Sequence, residues 1–395
     1  MALVAGTLLA TAAAPANADP AARPTAPDRA DRADRADRLD PAALRTTLAA
    51  VHEAGIHGTY AAATRGEDRW RGAAGVADTR TGRPVTPGMV HRVGSVTKTF
   101  TAVAVLRLAE TGRIGLDDPV ARHLPALEAQ GLDPAVTIRM LLNHTSGIAD
   151  YDDLLYPTVE SVAEYRHRRF APEELVRIGL SAPPPGAPGE RHSYANTNYI
   201  LAGLLLERVT GTTAEAFITR HVIRPAGLRH TTLPVSAAIP GPNARLYEGL
   251  YGLLDPPLDV TVYDPSYVWT AGALLSTMED LTRFYDALFD GELLTPASLD
   301  AMLSTVPIET PDGQVLGAYG LGIYPVGLPC GTFWGHDGRV WGSGTQVFAA
   351  PDGERQAAIG VTQQGYQSVD ESTGALEPHP ADEAIALHLI GALCG

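Results

Sequence analysis

Lysine is almost absent from this chain. Among 395 residues there is one, Lys98, against 29 arginines, so a single side chain can be asked what purpose it serves. Positive charge is scarce altogether: 30 Lys and Arg face 45 Asp and Glu, a net charge of −15. That field repels phosphate backbones and anionic membranes, so no nucleic-acid partner is expected. Cysteine is limited to Cys330 and Cys394, with neither the close spacings nor the companion histidines of a zinc site. The two histidines His52 and His57 are five apart and fall on different helix faces, so the zinc-binding i, i+4 pair is missing too. No phosphate-cradling glycine loop and no Gly-x-Ser-x-Gly elbow occurs. No metal and no organic cofactor is expected. The apolar stretch Ala2 to Ala14 is too short to span a bilayer, and no second run approaches that length, so no integral membrane segment is expected in the mature chain.

What is present is an ordinary globular composition, 45 % hydrophobic and 19 % charged, with 40 Gly and 31 Pro scattered among many turns. Ala2 to Ala14, then Pro15 and Ala16-Asn17-Ala18, fit an apolar signal segment and a small-residue cleavage site. Residues 1–18 are therefore expected to be a signal peptide, cut after Ala18, and the protein to be secreted. The opening Met1-Ala2-Leu3-Val4 lacks the usual basic residues, which places the expected start codon upstream. In an exported chain Cys330 and Cys394 would pair. Residues 19–40 carry an Asp-Arg-Ala repeat, Asp28 to Arg38, with four Asp, four Arg and no apolar face. They are expected to form a solvated tether.

From Pro41 a helical pattern (Leu44, Leu48, Val51) leads into alternating segments, Gly58 to Thr64 and Arg69 to Ala77, that read as antiparallel strands. Val96 to Ala109 reads as a buried central helix stopped by Thr111-Gly112. Helical periodicity then recurs at Ile138 to Leu142, Pro172 to Leu180, Tyr199 to Val209 and Ala214 to Val222. Beyond Trp269, helices at Met278 to Phe289 and Pro296 to Leu303 precede strand-like runs at Gly320 to Tyr324, Thr332 to Gly335, Gly344 to Ala349 and Gln356 to Thr362. A last helix covers Ala381 to Leu393. Strands at both ends enclosing helices predict an α/β plus all-α fold, one antiparallel sheet flanked by helices with an inserted helical lobe. The expected domain is 41–395, its α/β lobe about 41–115 and 268–395 and its helical lobe about 116–267.

Chemistry begins with Ser95-Val96-Thr97-Lys98. On a helix a serine and a lysine three apart project from one face. Burial should lower the amine's pKa, leaving neutral lysine to take the serine proton, while the helix N-terminus stabilises an oxyanion. A lysine snorkelling from a helix end is the bland reading, and a serine precedes a random lysine at this spacing about 3 % of the time. Tyr194-Ala195-Asn196 offers a loop phenol whose proton a nearby lysine could loosen, and an amide to hold a substrate carbonyl. Read plainly, it is a helix entry with a buried tyrosine. His336-Asp337-Gly338 could place an imidazole on an edge strand facing a cleft, with Gly338 allowing close backbone approach. Each of these last two is weak alone.

In this order the three segments resemble the signatures of the serine β-lactamase and penicillin-binding protein superfamily. Leu141 to Gly147, Pro188-Gly189, Trp269 before Ala271-Gly272, and Tyr319 to Gly322 resemble its branch of class C β-lactamases, esterases and secreted actinobacterial D-alanyl-D-alanine carboxypeptidases, over about residues 41–395. Cys330 and Cys394 fall where those carboxypeptidases have a disulfide. The resemblance implies a β-lactamase/transpeptidase-like fold, Ser95 as acylated nucleophile, Lys98 as its proton acceptor, Tyr194 as proton shuttle and His336 as its support. It further implies that Asn196 binds the acyl amide, that the backbone N–H groups of Ser95 and Arg339 form the oxyanion hole beside Gly338, and that Trp269 walls the cleft. Expected partners are peptides or esters of D-amino-acid character and β-lactams as acylating ligands, met by a monomer. The sequence departs from the carboxypeptidases at two places. Asp337 replaces the threonine that holds the substrate's terminal carboxylate, and Tyr324 stands where its companion arginine would align, so a carboxylate should be repelled unless Arg339 offsets the charge. The resemblance still implies, as the first expectation, an exported serine hydrolase that is D-alanyl-D-alanine carboxypeptidase-like, acting on cell-wall peptides and binding penicillin. An esterase, a D-amino-acid amidase, a peptide-cyclising acyltransferase or a β-lactamase are the alternatives, with a non-turnover penicillin-binding sensor behind them.

Overall fold

Tyr60 and Ala62 point into one hydrophobic core and Ala61 and Ala63 into another, because side chains alternate along a strand and this one is buried on both faces. It is β1 (Gly58–Arg65), near the middle of the molecule. The computed structural model describes residues 38–156, 158–310, 312–370 and 372–395. The expected signal peptide and nearly all of the tether lie outside the described residues.

In chain order the elements that position the site are α1 (Pro41–Glu53), β1, β2 (Asp68–Asp78), β3 (Arg83–Pro84), α2 (Thr97–Glu110), α3 (Tyr151–Leu155), α4 (Asn196–Thr210), α5 (Trp269–Gly272), α6 (Met278–Phe289), β4 (Tyr324–Leu328), β5 (Gly331–Val340), β6 (Ser343–Ala349), β7 (Arg355–Val361) and α7 (Pro380–Cys394). The strands form one antiparallel sheet in the order β4-β5-β6-β7-β1-β2-β3. Both ends of the chain supply it, as the strand pattern predicts. One face is covered by α1 and α7 through Leu44, Leu48, Ile385 and Leu389. The other packs on α2, α4 and α6. Asp40 starts α1 by accepting from Ala42 and Ala43 N–H at 2.8 and 3.1 Å. Thr111 and the left-handed Gly112 end α2.

Two expectations need correction. Gly320 to Tyr324 is not a strand. A strand at Val315–Tyr319, hairpinned with Val306–Glu309, ends there, and Gly320 to Ile323 is a turn closed by Gly320 N–H to the Ile323 carbonyl at 2.8 Å. Gly322 has φ +71°, and a Cβ on it would lie 2.7 Å from the Tyr199 hydroxyl and 2.8 Å from Ala102, so this turn presses directly on α2 and α4. His336-Asp337-Gly338, expected beyond a short strand ending at Gly335, lies within β5. That strand is interior at its start, where β4 pairs with it, but β4 stops at the Tyr324–Gly335 pair. From His336 onward one edge of β5 is free of strand partners, and that edge meets the start of α2.

Among the described residues no helix is long and apolar enough to cross a membrane. Cys330, in the β4–β5 turn, is disulfide-bonded to Cys394 at the end of α7, with 5.5 Å between Cα atoms. A bridge spanning 64 residues restricts the unfolded chain by about 3–4 kcal/mol. The double variant Cys330→Ser/Cys394→Ser should therefore unfold at clearly lower urea, and unfolded, unreduced protein should react with no thiol reagent. An unchanged midpoint or titratable thiols would contradict the bridge.

Candidate active site

Ser95 sits in a 3₁₀ turn, Gly94–Val96, leading into α2, and is the one residue between His91 and Phe100 that is not buried. The turn is held against β5 by two glycines. A Cβ on Gly338 would lie 1.9 Å from the Val93 carbonyl oxygen and 2.9 Å from the Ser95 nitrogen. A Cβ on Gly94, whose φ is +55°, would lie 2.6 Å from the Arg339 nitrogen. The backbones of Ser95 and Arg339 are thus neighbours at the open edge of β5, which is where two N–H groups could receive an oxyanion.

Lys98, one turn along α2, is fully buried. Its Nζ lies 3.0 Å from Ser95 Oγ, 2.7 Å from Asn196 Oδ1 and 2.8 Å from the Ala271 carbonyl oxygen. The last two can only accept. A neutral amine would spend its two N–H groups on them and turn its lone pair to the Ser95 hydroxyl. Burial lowers the Lys98 pKa to about 7, while Asp150, Asp152 and Asp337 pull it upward. Tyr194 donates its hydroxyl to Ser95 Oγ at 2.9 Å. Desolvation pushes its pKa well up, so the phenol keeps its proton. The expectation that the lysine would loosen that proton is overturned by burial.

Several expected residues are placed differently. Both ends of the Asn196 amide are taken: besides Lys98 on Oδ1, its Nδ2 donates to Asp150 at 3.1 Å and Asp152 at 3.4 Å. Its N–H groups are thus committed to the two carboxyls, which leaves only a second lone pair on Oδ1 to meet an acyl group. Trp269 does not wall the cleft. It is buried, packs on Gly203 of α4 and donates Nε1–H to Glu215 at 2.7 Å, so the site receives only the backbone of its helix, through Ala271. His336 does not touch Tyr194. Its Nδ1 bonds the Asp337 carbonyl and its Nε2 meets the Tyr319 hydroxyl at 2.7 Å, and Tyr319 packs edge-on to Tyr194 with ring centroids 6.3 Å apart. Burial lowers the His336 pKa to about 4, so it is a neutral ring. Asp337 is half-exposed and accepts the Tyr324 hydroxyl at 2.9 Å. Gly338 lies in β5 against the backbone of Val93 and Ser95. The Arg339 side chain is exposed; desolvation lowers its pKa but the nearby Asp337 charge outweighs this and raises it, so the two charges interact.

Asp150 and Asp152 were not anticipated. They begin α3, where Asp150 caps the helix by accepting from Asp152 N–H at 3.2 Å. An acidic residue there reads from sequence as a helix cap and nothing more. Burial raises the Asp150 carboxyl to about 6; burial and the Asp150 charge raise Asp152 well above the ordinary range. One Asp152 oxygen is buried without a partner.

A serine held between a buried lysine and a tyrosine, at the open edge of an antiparallel sheet beneath helices, is the kind of arrangement a serine hydrolase uses. The chain belongs to the Beta-lactamase family, whose model matches residues 18–377. It is similar to penicillin-binding protein 4* of Bacillus subtilis (strain 168), 29 % identical over 70 % of this chain and 60 % of that protein. It is also similar to esterase EstB of Burkholderia gladioli, 36 % identical over 48 % of this chain and 52 % of that one. The chain thus spans only a little over half the length of these relatives. Among solved structures, the D-stereospecific amidohydrolase of a Streptomyces species is 37 % identical with a TM-score of 0.73, over 82 % of this chain and 94 % of that one. The D-amino acid amidase of Ochrobactrum anthropi SV3, 24 % identical over 89 % of this chain and 97 % of that one with a TM-score of 0.75, shares the fold.

Two outcomes are expected. If Lys98 is the base, kcat/KM should rise with pH through about 7 as the amine loses its proton. Asp150→Asn keeps the helix cap but removes the first of the charges holding the amine up, so that rise should move to lower pH; a rise displaced to higher pH would contradict the electrostatics. Lys98→Arg should cut the acylation rate by at least about 100-fold, because guanidinium does not become a neutral base.

Proposed function

We propose that the protein hydrolyses D-aminoacyl amides and esters through a Ser95 acyl-enzyme. Neutral Lys98 takes the Ser95 proton as Oγ attacks the carbonyl carbon. The Ser95 and Arg339 N–H groups hold the oxyanion, and Tyr194 gives its proton to the departing amine or alcohol. Lys98, whose Nζ lies 4.9 Å from the Tyr194 ring centroid, restores that proton, and water releases the acyl group by the same route reversed.

The observation that carries the substrate class is the hydrogen-bonded pair Tyr324–Asp337. By the resemblance it aligns with the arginine and threonine that hold a terminal carboxylate in the carboxypeptidase branch, and it offers a carboxylate oxygen already accepting from the Tyr324 hydroxyl. A neutral leaving group suits it; an anionic one is repelled. An acyl group with a free ammonium would suit the acidic pair Asp150 and Asp152 beside Asn196, whose carboxyls burial disfavours as bare anions. Likeness to the D-stereospecific amidohydrolase over most of its length supports the same class. A D-alanyl-D-alanine carboxypeptidase acting on cell-wall peptides is the second reading, favoured by the likeness to penicillin-binding protein 4*.

Intact-protein mass spectrometry with a β-lactam and with a D-phenylalanine ester should give an adduct on Ser95; absence of any adduct or turnover would sink the acyl-enzyme. D-phenylalanine amide should exceed a D-Ala-D-Ala peptide in kcat/KM by about tenfold or more. Asp337→Thr should raise the peptide's kcat/KM severalfold, and an unchanged or lower value would count against the repulsion.

A further inference from the structure

His144, beside Tyr194, has a left-handed backbone, φ +60°, and is fully buried. Holding a non-glycine residue there costs about 1–3 kcal/mol, and such strain persists only where the surroundings enforce it. Its contacts show what the conformation accomplishes. The His144 carbonyl oxygen accepts from Ser193 N–H at 2.7 Å. The Nδ1 of the same residue accepts from Ala195 N–H at 3.2 Å. One residue thus holds the backbone on both sides of Tyr194. Its ring also lies on the Tyr194 ring, with centroids 4.2 Å apart at 31°.

We infer that His144 is the positioning residue of Tyr194, fixing the phenol in front of Ser95 by gripping the residues before and after it and backing its ring. The imidazole tautomer follows from its partners. Nδ1 receives both Ala195 N–H and the Asn198 amide, at 3.2 Å each, and Asn198 is oriented by accepting from Ser146 Oγ at 2.6 Å. Nδ1 is therefore unprotonated and the proton sits on Nε2. Burial holds the pKa well below the ordinary histidine range, with His192, Lys98 and His336 lowering it further, so the ring brings no second charge to the phenol. The inference rests on Tyr194 being the proton donor proposed above, since only then does its placement govern rate. A displacement of about 1 Å in such a group can cost on the order of 100-fold.

The test compares His144→Asn with His144→Leu in the full chain. Asparagine tolerates positive φ, and its Oδ1 can accept the Ala195 N–H in place of Nδ1; leucine can do neither. Crystal structures should show the Tyr194–Ser95 hydrogen bond kept in the Asn variant and lost in the Leu variant. With p-nitrophenyl acetate and D-phenylalanine amide, Leu should lower kcat about 100-fold with KM within about threefold, and Asn should recover kcat to within about fivefold of wild type. If the Leu variant does not fold, the Asn variant decides alone: a folded Asn protein with Tyr194 displaced overturns the inference. So does a Leu protein with Tyr194 in place and kcat unchanged. Tyr194 held by Asn and released by Leu, with kcat indifferent to both, would uphold the clamp and overturn the proton-donor reading instead.

Discussion

Lys98 is fully buried, and a buried amine must find oxygen acceptors or lose its charge. The oxygens it finds come from three separated stretches of chain: Ser95 before α2, Asn196 at the start of α4, and the Ala271 carbonyl in α5. The rest of the buried helix is tied down in the same manner. Thr97 bonds the Gly94 carbonyl at 2.7 Å, Thr99 the Gly322 carbonyl at 2.7 Å and Thr101 the Thr270 carbonyl at 2.8 Å. Apolar burial is non-directional and fixes only that α2 lies between the sheet and α4. The polar groups fix its rotation and depth. With those set, Ser95 can face the cleft, and the turn at Gly322 and the carbonyl of Ala271 come to the positions the site needs.

Desolvation then separates the two groups around Ser95. It disfavours charge whatever its sign, so it lowers the amine to about 7 and raises the phenol well above its ordinary value. A neutral base and a neutral acid come to flank one hydroxyl without any cation dedicated to tuning either of them. Two titratable groups driven apart by their surroundings are a natural base and acid. His144 and His336 are driven neutral for the same reason, which leaves the tyrosine hydroxyls and imidazoles to act by hydrogen bonding and packing.

The parts legible in sequence were those with a local period or spacing. The helix around Lys98 showed as an apolar run with one amine, and the Ser95–Lys98 contact follows from helical geometry over three residues. Strands from both ends were visible because β1, β6 and β7 are long, buried and punctuated by glycine or proline turns. The misplacements share a different cause: each depends on where a side chain turns once distant segments meet. Trp269 stands in the expected position along the chain, yet Gly203 on α4 leaves room for its ring and Glu215 takes its N–H, which no spacing reveals. His336 is drawn to Tyr319 by the turn at Gly320–Ile323, itself concealed by the glycine-rich stretch Gly317 to Gly322. Asp150 caps α3, and the second duty of its carboxylate, on Asn196, arises only when α3 and α4 pack together.

The scarcity of lysine and the excess of acid are connected at this site. Asp150 and Asp152, bonded to Asn196, and Asp337, bonded to Tyr324, all pull upward on the Lys98 pKa. Burial alone would leave a weaker base, more completely neutral; the carboxylates offset part of that and hold the amine where both protonation forms are accessible near neutral pH. Arginine would take the same carboxylates as partners and stay charged, so the arrangement is useful only with lysine. The same charges bear on the substrate. On the proposed reading a free carboxylate on the leaving group would be repelled by Asp337, whereas an ammonium group on the acyl side would be compensated by Asp150 and Asp152. Bringing that cation close would weaken their upward pull on Lys98, favouring the neutral amine when a cationic acyl group is in place. On the proposed reading, the acidic flanks therefore act twice, selecting the substrate by its charge and adjusting the base that attacks it.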